Sequence, residues 1–260
     1  MPEFSLIRVT KEARVGILTL ANPPANTLSQ KMIQEIDMAF DHFSQDSEVK
    51  VILLHGEGRF FAAGADIKEF TRVKHGADFQ DLAREGQRVF RRIETFHKPV
   101  LAAVHGAALG GGLELAMACH MRIVAESAKL GLPELQLGLI PGFAGTQRLP
   151  NLVGKSKAME MILTSDPVTG VEAVKLGLAN QTYAEDRLLE EARKLASKIS
   201  DKGIQTISNV LELLKVSETE PFEQAQEKEA LRFGEVFETY DASEGIKAFI
   251  EKRKPSFEDS

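Results

Sequence analysis

The sequence predicts an α/β fold that gives way to helices toward its C-terminus, and three features carry that prediction. Apolar β-prone runs, Gly- or Pro-rich loops and helical apolar patterns recur about every 35–50 residues in the first part of the chain. From about Lys155 onward the β-prone runs fade, and helical patterns fill 155–164, 169–177, 186–200, 203–216, 221–239 and 243–253. With 260 residues, 43% of them hydrophobic, the chain can bury one large core, as a single domain or as a domain with a helical appendage. No repeated residue pattern accompanies the spacing, so repetition is expected in the architecture only.

Ser5 to Leu20 alternates apolar and polar residues on either side of a Lys11–Arg14 turn, the pattern of a hairpin. Asn22-Pro23-Pro24-Ala25-Asn26 ends it, because neither proline can donate to a ladder. Thr27-Leu28-Ser29-Gln30 has the form of a capping box and precedes Met32, Ile33, Ile36, Ala39, Phe40 and Phe43 at helical spacing. Val49–Leu54 reads as the next strand, His55-Gly56-Glu57-Gly58 as a turn, and Phe60–Asp66 as a loop of small residues. Phe79, Leu82, Ala83, Val89, Phe90, Ile93 and Phe96 mark an amphipathic helix that ends before Pro99. Val100–Val104 is a buried strand, Gly110–Gly112 a turn, the run from Leu113 a helix, and Met121–Val124 a short strand. No Pro/Gly/Ser linker separates core from tail, so the tail is expected to pack on the core or on another subunit. Its last helix ends at Lys252-Arg253-Lys254, and the acidic Phe257–Ser260 segment is expected to fray.

The chemistry concentrates between His97 and Gln147. Glycines at a strand-to-helix junction let backbone N–H groups approach a ligand, with the positive end of the helix dipole behind them. Glu114 follows that turn among Leu113, Leu115, Ala116 and Met117, and Glu134 follows in Gly-Leu-Pro-Glu. Glu114 alone fits an ordinary acid near a helix start, and Glu134 alone fits a loop acid. Two acids in apolar settings beside free donors point instead to acid–base work on a substrate whose oxygen gains charge. The Phe60–Asp66 loop fits either close packing or a second backbone donor facing the glycine turn. His105 reads as a hydrogen-bonded core histidine, and Lys252-Arg253-Lys254 as a solvated helix end or a phosphate grip. Pro141 to Thr146 reads as a turn with a helix start or as a wall of the site.

A net charge of −6 and a pI near 5.6 argue against nucleic acid or an anionic membrane as partner. Cys119, the single cysteine, permits no intrachain disulfide and argues against a cysteine-based zinc site. MPEFSLIRVT has neither the apolar core of a signal peptide nor an Arg-rich transit character, so a cytoplasmic location is expected. No P-loop, dinucleotide-binding glycine fingerprint or Gly-x-Ser-x-Gly elbow occurs, which sets aside nucleotide hydrolysis, Rossmann binding and serine-hydrolase chemistry.

FFAAGADIKEF, AVHGAALGGGLELAMACH and GLPELQLGLIPGFAGTQRL, in this order, closely resemble the crotonase superfamily and specifically its enoyl-CoA hydratases. The ending EGIKAFIEKRKPSF is similar as well, so the resemblance spans nearly the whole chain. It implies a spiral of ββα repeats over residues 1–195 and a helical region over 196–260 that builds trimers, commonly paired into hexamers. It implies an oxyanion hole from the N–H groups of Ala65 and Gly111, and Glu114 and Glu134 as the acid–base pair; the division of roles stays open, with Glu134 favoured as the group that protonates C2. CoA contacts are implied at Ala25, Ala63, Ala65, Asp66, Ile67, Lys68, Phe233 and Lys252, and acyl contacts at Leu132, Pro141, Gly142 and Phe143. The implied reaction is syn addition of water to a trans-2-enoyl-CoA, with no metal or redox cofactor and with CoA as part of the substrate. Three departures occur, the first two at the acyl site and the third near the expected CoA entrance. Leu132 stands where many hydratases have Gln, Phe143-Ala144 replaces Ala-Gly, and Asn22–Leu28 is shorter than in many relatives. Another crotonase-type reaction, such as isomerisation or hydration of a branched or aromatic acyl-CoA, is the alternative enzyme. A non-catalytic acyl-CoA-binding subunit is the alternative from another class.

Overall fold

The computed structural model describes residues 4–71 and 75–260. Met1–Glu3, which open the stretch read for targeting signals, lie outside the described residues. β1 (Ile7–Glu12) and β2 (Val15–Leu20) form the expected antiparallel hairpin, closed tightly at Ala13-Arg14. α1 (Gln30–Gln45) follows, and its N-terminus corrects the sequence reading. The cap is Ser29, whose hydroxyl accepts from the Met32 N–H at 3.2 Å, and Gln30 is already the first helical residue. A box starting at Thr27 is therefore two residues too early. The helix buries Met32, Ile33, Ile36, Ala39, Phe40 and Phe43, the apolar stripe that defined it in the sequence.

β3 (Val51–Gly56) takes His55 and Gly56 into the strand, so the turn expected there begins later. α2 (Ile67–Phe70) and α3 (Gly76–Glu94) lead to β4 (Val100–Val104), β5 (Ala107–Leu109) and α4 (Gly111–Ala118). β6 (Met121–Ala125), β7 (Lys129–Gly131), a 3-10 turn (Glu134–Leu137), α5 (Gly145–Val153) and α6 (Lys155–Thr164) come next. The core closes with β8 (Val168–Thr169), α7 (Gly170–Lys175), β9 (Gln181–Tyr183) and α8 (Glu185–Ser200). β8 and β9, of two and three residues, are strands in the stretch beyond Lys155 that the sequence filled with helical patterns.

Two sheets result. The larger has the order β1-β2-β3-β4-β6-β9 and is parallel from β2 onward. β2 and β4 are buried along their whole length, as parallel strands covered on both faces must be. The smaller sheet has the order β5-β7-β8, and single-residue bridges at Leu28–Ala65 and Ala62–Ala108 extend its line. Successive passes of the chain thus give one strand to the large sheet, a short strand or bridge to the small one, and a helix: β3, Ala62, α3; β4, β5, α4. This is the ββα spiral. Arg122, buried in β6, ties down the end of α4 by donating from Nη1 to the Cys119 carbonyl at 2.7 Å.

α9 (Ile204–Val216), α10 (Phe222–Phe237) and α11 (Tyr240–Glu251) form the helical tail. The boundary placed at residue 195 falls inside α8, which buries Leu188, Ala192 and Ala196. α9 and α10 bury none of their residues, and Phe233, Phe249 and Ile250 are largely exposed. Between tail and core runs an apolar groove of about 1030 Å³, lined by Met117, Leu152, Ile207, Leu211, Phe233 and Ile246 among others. The C-terminal residues do not fray. The Glu258 N–H donates to Asp241 at 2.7 Å, and Asp259 accepts from the Ile204 N–H at 3.0 Å while pairing with Lys50 and Arg14.

Candidate active site

The Phe60–Asp66 loop is shaped by backbone contacts from both sides. Asn26, fully buried in the left-handed region at φ 48°, donates from Nδ2 to the carbonyls of Glu57, Phe60 and Phe61 at 2.9, 2.8 and 3.2 Å. The Ala63 N–H donates to the Ala25 carbonyl at 2.9 Å, the Leu28 N–H to Gly64 at 2.9 Å, and the Asp66 N–H to Leu28 at 3.3 Å. A parallel bridge of this kind bonds the residues flanking Ala65 and leaves Ala65's own N–H pointing away. Across from it, Gly110 bends at φ 52° and donates to the Gly131 carbonyl at 2.9 Å, so that Gly111 opens α4. A first-turn N–H has no partner within its helix. Among the described residues neither the Ala65 nor the Gly111 N–H meets an acceptor. The two loops touch: a Cβ on Gly64 would stand 4.0 Å from the Gly111 nitrogen.

Glu114 lies one turn into α4 and is 1% exposed. Its Oε1 accepts from the N–H groups of Phe143 at 2.8 Å and Gly145 at 2.7 Å, and Oε2 has no bond within the described residues. Burial pushes its pKa up to about 7, and the nearby Glu134 charge adds to this; the Gly145 and Phe143 N–H groups and the Arg148 cation pull the other way. Glu134 opens the 3-10 turn. Its Oε2 is buried without a hydrogen-bond partner among the described residues, and burial raises its pKa as well. A side chain at Gly110 would begin 2.8 Å from Glu134 Oε1 and push that carboxylate aside, a cost added to the strain of its φ of 52°. Two acids held above the usual carboxylate range therefore stand beside two open N–H donors, one acid better supplied with donors than the other.

The Pro141–Ala144 turn completes the wall. The Phe143 ring packs on Phe90 with centroids 5.2 Å apart, and a Cβ on Gly86 would fall 2.3 Å from it. Leu132 is fully buried beside Gly145, Pro141 is buried, and the Gly142 carbonyl accepts from Gln87 at 2.8 Å. Phe143 thus meets Glu114 directly through its N–H, Leu132 packs beside Gly145, which Glu114 also meets, and Pro141 and Gly142 belong to the turn. Asp66 caps α2 through the Lys68 N–H at 3.0 Å, leaving Ile67 and Lys68 exposed, and Ala25 sits against Ala63. The structure does not bring Phe233 or Lys252 to the acids within one chain. Phe233 lines the groove at the far end of α4, and Lys252 is exposed at the end of α11. Asn26 and Arg148, which the sequence reading did not single out, both hold site loops through backbone carbonyls. An Asn after Pro-Pro, able to enter the left-handed region, was the one available signal for the first.

The family described as Enoyl-CoA hydratase/isomerase matches residues 10–260. A probable enoyl-CoA hydratase of Bacillus subtilis (strain 168) is 55% identical over 98% of this chain and 99% of its own. A crotonyl-CoA hydratase of Syntrophomonas wolfei is 40% identical over 98% of each chain. Among solved structures, an enoyl-CoA hydratase subunit I from Geobacillus kaustophilus superposes with a TM-score of 0.93 at 35% identity, covering 100% of both chains.

Proposed function

The chain belongs to the enoyl-CoA hydratase/isomerase family, and from that premise we propose that Glu114 and Glu134 are the acid–base pair of an enoyl-CoA hydratase. The observation that carries this is the placing of two acids of raised pKa beside the open N–H groups of Ala65 and Gly111. The thioester oxygen of a trans-2-enoyl-CoA accepts from both N–H groups, which draws electron density from C3 and stabilises the enolate-like charge that forms. Glu114, whose carboxylate form is favoured by two N–H donors, takes a proton from a bound water as its oxygen adds to C3. Glu134, with an oxygen that meets no donor among the described residues, carries the proton and delivers it to C2. The product is the 3-hydroxyacyl-CoA, and proton exchange with solvent resets the pair. Loss of the conjugated enoyl-thioester absorbance of crotonyl-CoA measures the reaction. Glu114→Gln and Glu134→Gln should each lower kcat by about 10²–10⁴; a wild type that binds the thioester and leaves it unchanged would sink the reading. The reaction is proposed to need no metal or redox cofactor, with CoA entering as part of the substrate, so activity in the same assay should survive dialysis against a chelator.

The apolar groove and the exposed apolar residues of α9–α11 support assembly into trimers, or trimers paired into hexamers, with CoA contacts by Phe233 and Lys252 made in that assembly. Light scattering that returns a monomer mass at assay concentration would refute it. No described helix is long and apolar enough to cross a membrane, and the single buried cysteine suits the reducing cytoplasm, where we place the enzyme.

A further inference from the structure

We propose that Arg148 is a positioning residue for the acid pair, holding the Phe143–Gly145 turn where that turn's N–H groups fix Glu114. Arg148 lies on α5, is 9% exposed, and donates from Nη1 to the Phe143 carbonyl at 2.8 Å. Phe143 in turn donates its N–H to Glu114 Oε1 at 2.8 Å, so one peptide residue separates guanidinium from carboxylate. The turn does not hold itself. Ala144 sits at φ 71°, a conformation unfavourable for a residue with a side chain, so outside support is required. Arg148 is itself anchored: Nη2 donates to Glu94 at 3.2 Å, and Glu94 also pairs with Arg91 of α3 and lies 3.8 Å from Lys215 of α9.

A buried guanidinium is an expensive way to join two surfaces, because desolvation offsets most of what an ion pair returns. This one leaves Nε without a partner among the described residues, so it is not even fully satisfied where it stands. A role at the site accounts for a guanidinium placed there. The charged groups acting on Glu114 are Glu134 from the 3-10 turn and Arg148 from α5; α3 meets the turn with Phe90 and Gly86. Losing Arg148 therefore removes a cation that favours the Glu114 carboxylate and loosens two N–H donors. Both changes move proton loss from the pair to higher pH.

The proposal rests on the two-acid hydratase reading, which wild-type turnover of crotonyl-CoA tests separately from any variant. kcat and KM across pH, with the unfolding midpoint, are to be measured for wild type, Arg148→Met, Arg148→Lys and Glu94→Gln. Arg148→Met should lower kcat by about 10–100-fold with KM within about twofold, since it disturbs geometry at the reacting groups and leaves the CoA contacts alone. The pH limb set by the pair should rise by about 0.5–1. Arg148→Lys keeps the charge and loses the fork, so its limb should return toward wild type while kcat stays low. Glu94→Gln should shift both in the direction of Arg148→Met. Wild-type kcat in Arg148→Met, or in Arg148→Lys should the methionine variant not fold, overturns the proposal. So does a fall in kcat that follows the unfolding midpoint with the pH limb unmoved.

Discussion

Glu114 is held at a cost to the fold. Its pKa stands at about 7 in the folded chain against 4.5 for an ordinary glutamate, because burial disfavours the charged form. Between those values the native state binds more protons than the unfolded state, so stability falls as pH rises through the window and the loss is complete above it. The size is on the order of 3–4 kcal/mol, at about 1.4 kcal/mol per unit of pKa. Glu114→Gln keeps the shape, and its amide oxygen can still accept from the Phe143 and Gly145 N–H groups, yet it cannot ionise. The variant should therefore gain stability over wild type at pH 8 and gain little at pH 5. Urea midpoints at the two pH values check this; an equal gain at both would show that the burial of charge is not what strains the site. A residue that weakens the fold while removing most of the activity when replaced is the signature of a group kept for chemistry.

The glycine run before α4 shows at the scale of an element what the sequence disclosed and what it withheld. Strand, turn, helix and the place of Glu114 were all readable, since each rests on local apolar pattern and turn chemistry. The three glycines were read as serving one purpose, close approach to a ligand, and the structure gives them three. Gly110 bends the chain and clears Glu134; Gly111 presents its N–H; Gly112 packs so tightly that a Cβ would fall 2.1 Å from the Ala62 carbonyl. Packing partners far away in sequence decide such roles, and a single chain does not display them. The same holds for β5, β7 and β8, whose two or three residues are too few to show a period, and for β9, a three-residue edge strand whose polar Gln181 and Thr182 gave no apolar run. Asn26 and Arg148 escaped notice because they act on backbone carbonyls, which have no residue signature. The Ser29 cap was missed by two positions because Thr27 and Gln30 imitate the box that Ser29 and Met32 only half provide.

For the whole molecule, the question is what fastens a helical tail that buries so little. α9 and α10 contribute no buried residue, so apolar packing within one chain cannot be the main tie. The C-terminal segment supplies another. Lys50 at the foot of β3 is 1% exposed, donates to the Lys202 carbonyl at 2.9 Å, and pairs with Asp259. Asp259 also accepts from the Ile204 N–H that opens α9 and lies 3.2 Å from Arg14 in the β1–β2 turn. Asp241, at the start of α11, takes the N–H groups of Glu258 and Asp259. One carboxylate thus joins the large sheet to the first tail helix, and the chain beside it joins both to the last. Asp259→Ala leaves the Lys50 ammonium buried with a single carbonyl. Because Asp259 keeps some contact with solvent, the cost should be about 1–3 kcal/mol, below that of a fully enclosed pair. The loss should be local: hydrogen exchange should quicken in α9 and α11 while β2, β3 and β4 keep their protection. Exchange that rises equally in tail and sheet would mean that tail and core unfold as one unit, and unchanged exchange would mean that contacts other than Asp259 hold the tail.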